Sequence, residues 1–151
     1  VTAVVSGKRY NYQLMNKIVD VDGNTVAEYK PDYENISGTL TSTQWDAIHS
    51  GMREVVTTMD RFQGFDIAVA GKTGTAQQTG HANHGLFIGY APYDNPEITI
   101  AVRIANGYSS HNAATAARNV ISYYYGETKM DDLKEMKASG ASGHTGNSVA
   151  D

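Results

Sequence analysis

Cysteine is absent from this sequence, which excludes a disulfide framework and any thiolate metal site. Redox compartment therefore cannot be read from cysteine pairing. Apolar runs are all short of the roughly 18 to 20 residues that span a bilayer, and the first residues lack the basic, apolar and small-residue order of a signal peptide. No membrane segment is expected in the chain. Charge of one sign is not collected anywhere: 12 basic residues face 16 acidic ones, for a formal net charge of -4. A nucleic-acid partner, which calls for a basic patch or stripe, is excluded on that ground. Proline occurs only 3 times, and each instance marks a break: Pro31 closes a hairpin, while Pro92 and Pro96 bracket a tight turn.

What is present is enough for one domain. The chain has 151 residues, 40% of them hydrophobic and 19% charged, sufficient for a single buried core. Val1 to Gly7 reads as the last turns of an apolar helix stopped by glycine, so the chain is expected to begin inside a larger fold. Tyr10 to Val21 and Thr25 to Tyr29, joined by Asp22-Gly23-Asn24, predict a β-hairpin, and Asp32 to Thr39 a loop. Thr41 and Gln44 fit a capping box. The helix that follows carries Trp45, Ile48, Met52, Val55, Val56 and Met59 on one face, which should be buried, with Asp46, Arg53 and Glu54 opposite.

Three strands come next. Phe65 to Ala70 runs into Gly71 to Gln77. Leu86 to Ala91 is almost wholly apolar, as expected of a central strand, and Glu97 to Ala105 alternates as a paired antiparallel strand. A second helix, Asn112 to Tyr125, bears a stripe of Ala113, Ala116, Ala117, Val120, Ile121 and Tyr124 suited to packing on a sheet, and Gly126 ends it. The tyrosines 123 to 125 are expected to pack there as well. From residue 127 to 151 the sequence turns charged and then rich in Gly, Ser and Ala, which predicts a flexible polar tail. The fold class is α/β of the α+β type: an antiparallel sheet with a packed C-terminal helix.

The motif with most chemical content is Lys72-Thr73-Gly74, followed by Thr75, on a strand. On an extended strand Thr73 and Thr75 share one face and Lys72 and Gly74 the other. Two hydroxyls can thus converge on a carboxylate beside a fixed cation. Gly74 leaves room for a peptide backbone to approach, and Gly71 is expected to do the same. A phosphate loop is excluded, since the glycine it requires five positions before Gly71 is replaced by Asp66. His81 and His84 have no third ligand in their loop, so no metal is expected. Ser110-His111-Asn112 reads as the cap of the last helix. Asn35-Ile36-Ser37 fits a glycosylation sequon and carries little weight.

The tripeptide stands in a longer pattern: Ala70 to Gln77, a polar loop with His84, Gly85 to Pro92, then Pro96 and an apolar strand. Over most of residues 1 to 126 this resembles the transpeptidase domain of high-molecular-mass, monofunctional (class B-like) penicillin-binding proteins, in its C-terminal portion. The resemblance implies a partial serine β-lactamase and penicillin-binding transpeptidase fold over 1–126. It implies a bacterial parent anchored at the extracytoplasmic face of the cell membrane, without cofactor, that cross-links peptidoglycan. Its partners would be the peptidoglycan stem peptide, β-lactams and the N-terminal part of the domain. By the same resemblance Lys72 and Thr75 are catalytic, the backbone N–H of Thr75 being an oxyanion donor, and Lys72, Thr73, Gly74 and Thr75 bind substrate. No serine here has a lysine three positions on, so the nucleophile is not among these residues, and the chain alone is expected to be inactive. A penicillin-sensing receptor domain, a serine β-lactamase fragment and a catalytically inactive structural fragment remain alternatives.

Overall fold

The computed structural model describes residues 1–134, with helices set around short N-terminal ladders and one longer antiparallel sheet. Helix α1 (Thr2–Ser6) stops at Gly7, whose φ of 64° is the left-handed cap expected there. The single hairpin expected after it is two separate ladders. Strand β1 (Lys8–Tyr10) pairs with β4 (Tyr33–Asn35), and β2 (Lys17–Val19) pairs with β3 (Thr25–Glu28), both antiparallel. The segment expected to be a loop, 32–39, thus supplies a strand. Cross-strand pairing explains it: Arg9 forms an ion pair with Glu34, Tyr10 packs on Tyr33 at 5.3 Å between ring centroids, and the Lys8 amine lies 4.4 Å from the Tyr33 ring. The turn at Asp22 to Asn24 is where the sequence puts it, with Gly23 at φ 87°. Asp20 accepts hydrogen bonds from the backbone of Asn24 (2.8 Å) and Asp22 (3.0 Å), and the Asn24 bonds, side chain first, hold its carboxyl below the ordinary pKa.

Helix α2 (Ser42–Thr57) opens on the expected capping box, with Gln44 N donating to Thr41 Oγ1 and Thr41 N to Gln44 Oε1. The far end of its apolar stripe is the deep end: Val56 and Met59 are buried. Trp45 departs from expectation. It is half-buried, and its indole N–H donates to the Ser37 carbonyl (3.0 Å) in the 3-10 turn Ser37–Thr39, so it braces that turn instead of filling the core. Arg53 departs too, reaching in from the polar face to bond the Val69 carbonyl at 2.7 Å.

The sheet runs in the order β5 (Ala70–Ala76), β6 (His84–Ala91), β7 (Ile98–Ile104), all antiparallel. Residues 65–69 lie outside it, yet Val69 is fully buried. On one sheet face Phe87 and Ala91 meet Val56, Met59 and Phe62 from the α2 side. Ala113, Ala114, Ala117 and Ile121 of α3 (Ser110–Tyr124) complete that core. Small residues on α3 let the helix lie close to the sheet, but the buried side is turned from the expected stripe: Ala113, Ala117 and Ile121 of it are buried, Val120 and Tyr124 are exposed, and Ala114, outside it, is fully buried. Of the three terminal tyrosines only Tyr125 packs inward, its hydroxyl 3.3 Å from the Ala91 carbonyl; Tyr123 and Tyr124 are exposed. Residues 130–134 form a short helix, α4, and the remainder of the expected tail, 135–151, lies outside the described residues. Among the described residues no helix is long and apolar enough to cross a membrane.

On the opposite sheet face Tyr90 is sealed, with its hydroxyl 2.6 Å from His49 Nδ1 of α2. Burial first, then the neighbouring Tyr93, pushes its phenol up to about 12. The sign follows from linkage. The unfolded chain ionises this tyrosine at its ordinary value near 10, so its contribution to stability is intact below that pH. It is lost as pH rises from about 10 to about 12, because the unfolded state gives up the proton first. Urea titrations of wild type and Tyr90→Phe across that interval should show the phenylalanine variant losing less stability. Parallel losses would show that Tyr90 is not held protonated.

Candidate active-site edge

Strand β5 pairs with β6 along one side only among the described residues. Beside it lies a cleft of about 360 Å³ lined by Lys72 and Thr73, by Val55 and Thr58 at the end of α2 and Asp60 in the 3-10 turn after it, and by His111 at the start of α3. The alternation expected of an extended strand can be read from the register. Thr73 stands opposite Phe87 and Thr75 opposite Gly85, whereas Lys72 stands opposite Ile88 and Gly74 opposite Leu86. The two hydroxyl-bearing residues therefore share one face, and Lys72 and Gly74 share the other. Lys72 is exposed, and its amine donates to the Thr73 carbonyl at 3.0 Å, so the cation is drawn along the strand edge.

Glycines fix this geometry, though not all in the role the sequence suggests. Gly71 does not open space for a ligand. It is buried, and a Cβ there would meet the Phe87 ring (Cε2 at 2.9 Å) and the Ile88 carbonyl at 2.7 Å. Gly89, its partner in register, is filled by the same ring and by the Ala70 carbonyl at 2.8 Å. The two glycines form a floor on which Phe87 lies. Gly74 is different, because a Cβ there finds only Leu86, at 3.4 and 3.6 Å. Gly85 has a third use: the Ser109 carbonyl sits where its Cβ would be. That contact seats the start of α3 directly against the strand position facing Thr75.

His111 is the residue that sequence reasoning did not place in the site. In the sequence it belongs to the expected helix cap Ser110-His111-Asn112. The cap is one position earlier than expected, at Ser109, whose hydroxyl accepts from His111 N at 3.2 Å, with His111 Nδ1 3.1 Å away. The signal available in the sequence was only that a helix start follows the apolar strand. His81 and His84 do not stand together on a ligand; His84 Nδ1 accepts the backbone N–H of Asn106 at 2.9 Å. No group of three His, Cys, Asp or Glu among the described residues is placed to hold a metal ion.

Comparison with known proteins gives this edge its context. The family described as penicillin binding protein transpeptidase domain matches residues 1–122. The peptidoglycan D,D-transpeptidase MrdA of Haemophilus influenzae is 37% identical over 101 residues, which is 53% of this chain and 16% of that protein. MrdA of Acinetobacter baumannii is 38% identical over 81 residues, 44% of this chain and 12% of that one. The chain thus spans well under a fifth of the length of these curated relatives. Among solved structures, penicillin-binding protein A from M. tuberculosis, in its imipenem acyl-enzyme complex, superposes with a TM-score of 0.66 at 20% identity. That match covers 82% of this chain and 28% of the other, and shows a shared fold. Pseudomonas aeruginosa PBP2, solved in complex with WCK 5153, gives a TM-score of 0.61 at 27% identity over 93% of this chain and 31% of that one. With 1–122 of its 151 residues matched, the chain belongs to the penicillin binding protein transpeptidase domain family.

Proposed function

We propose that these residues are the substrate-holding edge of a peptidoglycan D,D-transpeptidase, a parent enzyme anchored at the extracytoplasmic face of the bacterial membrane. The observation that carries this reading is the pairing of Thr73 and Thr75 on one face of a strand whose free edge borders the cleft, with Lys72 beside them. The names of the curated relatives support it.

The chemistry follows from what the edge can offer. A stem peptide ending in D-Ala-D-Ala presents a carboxylate, for which the Lys72 ammonium and the two threonine hydroxyls are donors of suitable kind. A serine from outside these residues attacks the penultimate carbonyl. The oxygen that gains charge is met by the backbone N–H of Thr75, a type of contact that acts only as charge develops. The terminal D-alanine leaves with a proton, and the serine ester is then transferred to an amine of a neighbouring strand. β-Lactams carry a carboxylate and a strained acyl bond in the same relation, and acylate the same serine.

The test is labelling with a fluorescent penicillin. A complete transpeptidase domain that includes these residues should be labelled, and the 151-residue chain alone should not. An unlabelled complete domain would remove the functional reading. A covalent adduct on the isolated chain would show that the nucleophile is here after all.

A further inference from the structure

We propose that His84 is a positioning residue, whose unprotonated Nδ1 holds the loop between β7 and α3 in the conformation that sets the start of α3 beside Thr73 and Thr75. The bond itself is specific. Asn106 N–H donates to His84 Nδ1 at 2.9 Å, so that nitrogen must carry a lone pair, and the neutral ring keeps its proton on Nε2.

The loop it grips is an unusual one. Asn106 (φ 53°) and Tyr108 (φ 64°) both hold left-handed backbone without being glycine. Residues with a Cβ adopt that region at a cost, and two in three positions persist only where the surroundings hold them. Gly107 between them is packed against Ile104, where a Cβ would come within 2.8 Å of side-chain carbons. Three bonds anchor the loop from outside: Asn106 N–H to His84, Tyr108 N–H to the Asn83 carbonyl (3.0 Å), and Asn112 Nδ2 to the Gly107 carbonyl (2.9 Å). Two of the three come from adjacent residues at the start of β6. They tie the β5–β6 turn to the loop that leads into α3.

Position makes the tie relevant to the site. His84 pairs in register with Ala76, and the next residue, Gly85, pairs with Thr75 and receives the Ser109 carbonyl. Two residues after Ser109 comes His111, which lines the cleft with Lys72 and Thr73. If Asn106 is released, the left-handed loop can relax, and Ser109 to His111 lose their fixed relation to the threonine face. The consequence for acylation rests on the transpeptidase reading; the existence of the latch does not.

Asparagine and leucine at position 84 separate the acceptor from its shape. The oxygen of His84→Asn falls near the place of Nδ1, while His84→Leu has the same branching and nothing to accept with. In the complete domain, amide exchange at Asn106 should speed up by about fivefold or more in His84→Leu and return toward wild type in His84→Asn. The rate of acylation by fluorescent penicillin should fall about fivefold or more in the leucine variant and recover in the asparagine variant. Unchanged exchange at Asn106 in His84→Leu would overturn the latch. Faster exchange with unchanged acylation would overturn its role in positioning. A wild-type domain that takes no penicillin would overturn the transpeptidase reading and the positioning role with it, while the exchange measurement would still decide whether the latch exists.

Discussion

Replacing Gly71 with alanine should destabilise the domain by about 3 kcal/mol, the upper end of what overpacking a filled core commonly costs. The added methyl would point into the Phe87 ring and stand 2.7 Å from the Ile88 carbonyl. Neither can yield cheaply. The ring is fully buried and stacked on Phe62 at 5.9 Å between centroids, and the carbonyl belongs to the backbone of the central strand. Shrinking the ring with Phe87→Leu should rescue only part of the loss, because the clash with Ile88 remains. Gly74→Ala is the control. It sits three positions along the same strand, but its methyl would meet Leu86 at ordinary contact distance, so its denaturation midpoint should stay close to wild type. Urea denaturation of the three variants decides the matter. Equal midpoints for Gly71→Ala and wild type would mean that Phe87 does not rest on a glycine floor.

That contrast also marks where the sequence can be read and where it cannot. A glycine in this strand gives no sign of what fills its missing side chain. Gly71 and Gly74 look alike in the sequence, and only the register with β6 separates a ring-bearing floor from an open position. Local chemistry was legible. Thr41 and Gln44 close their capping box within one turn, and the period of α3 marks Ala113, Ala117 and Ile121 as buried, though it misplaces Val120 and Tyr124, which are exposed. Contacts made across long stretches were not. Strand β4 forms because residues 25 positions apart, Arg9 and Glu34, find each other across a ladder, and no window along the chain reveals that. Arg53 sits on the polar side of α2 by period, but its long side chain bends inward to the Val69 carbonyl, a reach that periodicity does not describe. The extended state and face alternation of Lys72 to Thr75 follow from the pattern, whereas His111 enters the cleft only because Gly85 lets the start of α3 close against the sheet.

Lys72→Ala should lower the rate of penicillin acylation of the complete domain by about ten- to a hundredfold, the loss expected when a hydrogen bond to a charged partner is removed. The size of the effect depends on where the amine lies. Lys72 is exposed and, among the described residues, bonded to the carbonyl of its neighbour Thr73, so it is not part of the core and its removal leaves no buried group unpaired there. Stability should change by no more than about 0.5 kcal/mol, as for other exposed positions. Any fall in labelling then reports on the proposed carboxylate site and not on folding. Lys72→Arg adds a finer test. It keeps the charge but substitutes a broad planar fork for a compact ammonium at the strand edge, and it should recover only part of the rate. Thr73→Val and Thr75→Val should each weaken labelling as well, because each removes a hydroxyl from the shared face while keeping the strand's β-branched shape. Should Lys72→Ala label at the wild-type rate with an unchanged midpoint, the cation is not holding the donor's carboxylate, and the edge between Gly71 and Ala76 would need another explanation for its free side.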